Sequence, residues 1–440
     1  MIFLPKILEN ELDFRASSYK LLINEIELKK KYLDKLGTNE EQILGELADY
    51  NGINSSMKYL ITNEYCTLNE VNNILSENMK YNCSNIFLEK TVHDLTDTQI
   101  EQGFDNINTL YNKEYMAINY HTYLNTKDFN LIDRITPDKN HNIFFPKLKY
   151  DLDKIEIFCF ISFFDNKLEK RLRMCCVEID RKTNYTTFFV NGTTGSLKIV
   201  NDGNTDISSP NSFFKYVKRI IERLFKTRFK ERTNNILIEN RERMFEFCND
   251  MNNIMIGDIS EELYDELTSL IDGQISRTFG RMAKMNNQVK SNSIVKKKLN
   301  DKIFSAYLGE FITMGFNETE LKKKARLVNA PCYPTKISFK GHELARGKAM
   351  TRGKEFPLTF ETIFYSINTD LSLAGELEEF TVAWFDSDFF DDSNELETSQ
   401  TTVKVKKDYF SITMGNKKYK NKGMTEFVLS TIREQLKKRS

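Results

Sequence analysis

Apolar residues change their spacing several times along the chain, and each change predicts a change of element. Leu21, Leu22, Ile23, Ile26, Leu28, Tyr32, Leu33 and Leu36 follow a mostly helical period, which Gly37 stops. Thr67-Leu68-Asn69-Glu70 ahead of Val71, Ile74 and Leu75 has the capping-box pattern, in which a hydroxyl and a carboxylate satisfy the first N–H groups of a helix. Residues 1–145 are therefore expected to be mainly helical. The polar turn cluster Pro137-Asp138-Lys139-Asn140-His141-Asn142 marks the end of that region.

Beyond it the composition turns to β-branched and aromatic residues. Ile155–Phe164, Met174–Ile179 and Thr186–Val190 read as strands, and Asn191-Gly192 and Asp202-Gly203 suit tight hairpin turns. Ser208-Ser209-Pro210-Asn211 opens a helix whose apolar face is Phe213, Phe214, Val217, Ile220, Ile221, Leu224 and Phe225. Its other face is basic, with Lys215, Lys218, Arg219, Arg223, Lys226, Arg228 and Lys230. Residues 146–235 thus form an expected region of antiparallel hairpins plus a basic amphipathic helix. Residues 236–330 read as helical again. Residues 331–440 read as β-rich, with strands at Thr335–Lys340, Leu358–Ile367, Glu379–Trp384 and Thr401–Met414. A helix at 423–438, with Met424, Phe427, Val428, Ile432 and Leu436 on one face, closes the chain. Runs of helices and runs of strands, rather than strict alternation, predict an α+β fold.

Composition narrows the class. The 440 residues are 40% hydrophobic, 12% aromatic and 29% charged, which is globular and excludes collagen, a disulfide scaffold or wholesale disorder. The longest apolar run, Ile155–Phe164, contains Glu156 and falls short of the roughly 18 residues a spanning helix needs. The start, Met1-Ile-Phe-Leu-Pro5, lacks the basic and apolar stretches of a signal peptide. Seven cysteines, two of them adjacent and none in a Cys-x-x-Cys pair, read as reduced thiols of a cytoplasmic protein. Abundant Asn, Lys and Ile suit the AT-rich codons of a low-GC bacterium or its phage.

Charge is where the chain becomes informative. The net charge is zero, yet residues 273–354 carry 18 Lys/Arg against 5 Asp/Glu, a net +13. Residues 355–397 carry 12 acids and no base, and 398–440 return to a net +8. Within the basic block, Asn317 and Glu320 form a second capping-box pattern ahead of Leu321-Lys322-Lys323-Lys324-Ala325-Arg326. A helix at about 300–313 precedes it across a short Gly-containing turn. A basic hairpin follows it, with Lys336, Lys340, Arg346-Gly347-Lys348 and Arg352-Gly353-Lys354. Glycines between cations let the backbone approach phosphate while the side chains neutralise it. Helix, turn, basic helix and hairpin over 300–354 together resemble a winged helix-turn-helix, and the resemblance implies contact with duplex DNA. Lys218 and Arg219 of the basic helix at 213–230 are expected to extend that surface.

Two carboxylate groups offer metal chemistry instead. Asp386-Ser387-Asp388, followed by Asp391-Asp392, stands at the end of the strand Phe380–Phe385, where paired carboxylates can hold Mg²⁺ or Mn²⁺. Glu178-x-Asp180 puts two carboxylates on one face of a strand, near Asp165 and Lys182, with Arg171 and Arg173 as ion-pair partners. A third use of the acidic segment is to dock on the basic block of the same chain. His93, His121, His141 and His342 are scattered without zinc-site spacing. No phosphate-binding Gly-x-x-x-x-Gly-Lys-Ser/Thr loop, Gly-x-Gly-x-x-Gly or Gly-x-Ser-x-Gly motif occurs. The expectation is a non-catalytic, cofactor-free nucleic-acid-binding protein that acts with a protein partner in transcription control or phage–host conflict. Its rivals are a metal-dependent nuclease or transferase, and a structural subunit whose opposite-charge blocks are mating surfaces.

Overall fold

The computed structural model describes residues 67–91, 95–110, 143–150, 153–164, 170–191, 198–199, 205–230, 233–286, 293–340, 346–391, 393–415 and 422–437. The chain divides into two units: 1–231 with 418–425, and 232–417 with 426–440. The helical pattern at 21–36 and the turn cluster at 137–142 lie outside the described residues.

Among the described residues, unit 1 starts with α1 (Leu68–Tyr81), capped by the reciprocal Thr67–Glu70 box that the sequence predicts. Then come β1 (Asn85–Lys90), α2 (Asp97–Leu110), β2 (Ile143–Tyr150), β3 (Lys154–Phe164), β4 (Lys170–Asp180) and β5 (Tyr185–Val190). A short pair, β6 (Lys198–Ile199) with β7 (Thr205–Asp206), precedes α3 (Pro210–Leu224). The five long strands pair antiparallel in the order β2-β3-β4-β5-β1. Helices cover both faces. Phe214 of α3 stacks on Phe87 at 4.3 Å, and Tyr81 of α1 meets Phe189 edge-on. Burial on two sides explains why every position of β5 is buried and why β3 and β4 read as near-continuous apolar runs.

β1 lies within a stretch expected to be mainly helical. Its six residues, Asn-Ile-Phe-Leu-Glu-Lys, are too few to show a period, and pairing with β5 decides their state. Ser209 caps α3 with Pro210 in the first turn, and its buried face is the one predicted, with Tyr216 added.

Unit 2 begins with α4 (Asn234–Met285), whose 52 residues run about 78 Å at 1.5 Å per residue. α5 (Ser293–Gly315), α6 (Glu318–Leu327), β8 (Cys332–Lys340), β9 (Arg346–Met350), α7 (Thr362–Ala374), β10 (Glu379–Phe385), β11 (Thr398–Val405) and β12 (Phe410–Gly415) follow. α8 (Lys422–Lys437) closes the chain, and Phe427 packs edge-on against Trp384. The sheet order is β12-β11-β10-β8-β9, all antiparallel. The first half of α4 buries Met244, Phe247, Cys248, Met251 and Met255, with Phe247 against Phe380 of β10. Its second half pairs with α5, where Tyr264 meets Phe304 edge-on.

The segment Leu358–Ile367, expected as a strand, is instead a turn of 3-10 helix followed by α7. Its aromatic residues suit a strand, but Tyr365 packs its ring over Gly309 of α5, where a Cβ would lie 2.7 Å from that ring. Tertiary packing there overrides local preference. Helices and antiparallel sheet in separate runs make the fold α+β, and no described helix is long and apolar enough to cross a membrane.

Candidate nucleic-acid interface

Strand alternation builds the clearest charged surface, on unit 2. Along β8, Lys336, Ser338 and Lys340 are partly exposed while Ile337 and Phe339 are buried. On β11, Gln400, Thr402 and Lys404 are partly exposed between buried Thr401, Val403 and Val405. The register aligns these positions on one face. Lys340 stands opposite Arg346 and Ser338 opposite Lys348. Ser338 also faces Glu379, which faces Lys404, which faces Ser411. Toward β9 that face carries lysines, arginines and hydroxyls, while its other end, at Ala383 and Phe385 of β10, is buried, with Arg326 of α6 over Phe385.

Acids on that face are few and engaged. Glu379 is bonded to Lys336 and lies 3.3 Å from Lys404. Burial would raise the Glu379 carboxyl, but these two lysines more than offset it and hold its pKa below the ordinary value. Glu378 bonds Arg241 at 3.0 Å and reaches Arg346 only at 4.0 Å. Lys340, Lys348 and Arg352 make no ion pair among the described residues. Arg352 opens a 3-10 turn against which Gln400 of the outer face donates to the Gly353 carbonyl. Of Lys354 only the backbone is described. Lys340 and Arg346 directly opposite each other repel, a cost in a bare sheet that an anion above the pair removes.

The helix–turn–helix–hairpin order is present as α5, α6, β8 and β9, with the Asn317–Glu320 box capping α6. Two features depart from a free winged motif. β8 lies inside the sheet, between β10 and β9. The α6 cations are largely occupied: Lys324 pairs with Asp258 at 2.6 Å, Arg326 with Asp388 at 2.6 Å, and Lys322 lies 3.4 Å from the Thr398 hydroxyl. Arg326 also stacks over Phe385. Lys323 is the exposed cation of that run. The acidic segment after β10 does dock on the basic block, through Asp388.

On unit 1, Lys218 pairs with buried Glu89 at 2.7 Å and lies over Phe229. Arg219 is exposed, as are Lys215 and Arg223. Lys218 is thus a structural ion pair, and its neighbours carry the basic face.

One carboxylate of each expected pair, Asp388 and Glu178, is in an ion pair. Asp386 is buried and Asp388 is held by Arg326, so a cation there would have to displace a guanidinium. Among the described residues no three His, Cys, Asp or Glu side chains converge as metal ligands do. Glu178 lies 2.6 Å from Lys80 of α1 and 3.7 Å from Lys154. Asp180 accepts the Lys182 and Thr183 N–H groups in the β4–β5 turn. Arg173 is fully buried over the Phe213 ring rather than beside Glu178, and the Arg171 side chain lies outside the described residues.

Lys404 belongs to the outer face but was not among the expected contacts, because it lies 50 residues beyond the basic block. Its signal was the alternation of Thr402 and Lys404 with Val403 and Val405. No family model, curated protein or solved structure matches the chain.

Proposed function

We propose that this chain binds duplex DNA through its phosphate backbone, using the outer face of the unit 2 sheet. The supporting observation is the register that sets Lys340, Arg346 and Lys348 side by side, with Arg352 at the margin and hydroxyls between them. Phosphate contacts of this kind position a protein without reading sequence. α6 adds Lys323, while Lys322, Lys324 and Arg326 hold the helix in place. Transcription control or phage–host conflict, with a protein partner, remains the setting that suits a binder without chemistry of its own.

The test is a titration of labelled duplex DNA at several salt concentrations. Four phosphate contacts give a slope of log K against log salt of about −3.5. Replacing Lys340, Arg346, Lys348 and Arg352 by Ala should abolish most binding and flatten that slope, for every duplex sequence alike. Arg326→Ala should leave affinity within about twofold. Unchanged binding in the fourfold variant overturns the reading. Cleavage of plasmid in Mg²⁺ or Mn²⁺ that a chelator stops, and that Asp386→Ala abolishes, would favour the nuclease instead.

A further inference from the structure

We infer that two copies of this chain associate through the outward strip of α4, antiparallel and centred on Gly273. The strip consists of Glu262, Glu266, Leu270, Arg277, Arg281 and Lys284, whose spacings of three, four and seven keep them on one side of a helix. Tyr264, Ile271 and Ile275, which face α5 or are buried, lie roughly opposite. The five charged residues are exposed and make no ion pair among the described residues. Leu270 is 61% exposed.

The order of charge is self-complementary. Glu262 lies eleven residues before Gly273 and Lys284 eleven after it. Glu266 lies seven before, and Arg281 eight after. A two-fold axis at Gly273 therefore sets each acidic end against the basic end of the second copy, as an isologous contact requires. The paired strip spans about 33 Å. Within one copy the same arrangement is unfavourable, because Glu262–Glu266 and Arg277–Arg281 are like-charge pairs four apart. At the centre, a Cβ on Gly273 would meet nothing within 4 Å, so the backbones can approach closely. Leu270 of each copy then packs beside the axis.

Sedimentation velocity on the nuclease-treated full chain tests this. Wild type should sediment at twice the chain mass at low salt and dissociate as salt is raised. Glu262→Lys with Glu266→Lys should be monomeric, and so should Arg281→Glu with Lys284→Glu. An equimolar mixture of the two variants should recover the dimer, since each then offers what the other lacks. Gly273→Cys should form an intermolecular disulfide on oxidation and Gly257→Cys, on the inward side of α4, should not. That cross-link reads the contact without removing a charge, should a charge variant misfold. A wild type that stays monomeric, a charge variant that still dimerises, or folded variants whose mixture does not re-form the dimer would overturn the inference.

Discussion

Lys80 of α1 and Lys147 of β2 both lie near Glu156, and burial pulls both pKa values down, yet their net shifts are opposite. Lys80 lies 2.7 Å from Glu156 and 2.6 Å from Glu178. Burial pulls its pKa down, but nearby Cys176, Glu156 and Glu178 leave it well above the ordinary 10.5. Lys147 bonds Ser76 and is 4.0 Å from Glu156, and burial wins, lowering its pKa. The raised Lys80 contributes stability that is present below 10.5 and lost as pH climbs through its folded value. The lowered Lys147 opposes folding at neutral pH and does so less as pH rises toward 10.5. Lys80→Met should therefore cost about 3 kcal/mol in urea unfolding at pH 7, because two part-buried carboxylates lose their partner. Lys147→Met should fall within about 1 kcal/mol of wild type, since a buried cation is replaced by an apolar chain of similar length. Equal costs would show that both lysines serve as ion-pair partners. The period-two placement of Glu178 is legible in the sequence. That a lysine almost 100 residues earlier neutralises it is not, because only the packing of α1 on β3 and β4 brings them together.

Elements carry the next set of effects. α6 owes its start to Asn317, whose side chain accepts the Glu320 N–H at 2.9 Å while Glu320 reaches back to the Asn317 N–H at 2.8 Å. Asn317→Ala should cost about 1 kcal/mol, read by urea unfolding, with DNA affinity within about twofold, since Lys323 is, among the described residues, the one cation of α6 free to reach phosphate. Gly347 on β9 lies under the Phe339 ring, where a Cβ would collide with it. Gly347→Ala should cost about 1–3 kcal/mol by overpacking, and should weaken DNA binding too, because it moves the strand that presents Arg346 and Lys348. Loss of stability with intact affinity would separate β9 from the binding face. Caps, the α3 face and the strands at 155–164, 174–179 and 379–384 were legible, since each rests on local spacing. β1 and α7 were not, since short or aromatic segments take the state their neighbours impose.

At the scale of the molecule, a net charge of zero conceals blocks of opposite sign, so ionic strength and pH act on surfaces rather than on the average. Glu379, held low by Lys336 and Lys404, supports folding above its ordinary 4.5, and that support is lost as pH falls below it. Glu379→Gln should then tighten duplex binding at neutral pH severalfold by freeing both lysines, and should remove part of the acid sensitivity of unfolding. Weaker binding would mean that Glu379 orients the lysines for phosphate rather than competing with it. The sequence by itself determined the α+β class, the caps, the alternation of the sheet strands and the segregation of charge, because each follows from residue type and spacing along the chain. Only the tertiary structure decided which cations are occupied. Lys324 meets Asp258 across 66 positions and Arg326 meets Asp388 across 62, while Lys340, Lys348 and Arg352 make no such pair among the described residues. Long-range pairing spends charge by proximity in space, and no pattern of neighbours along a chain encodes it.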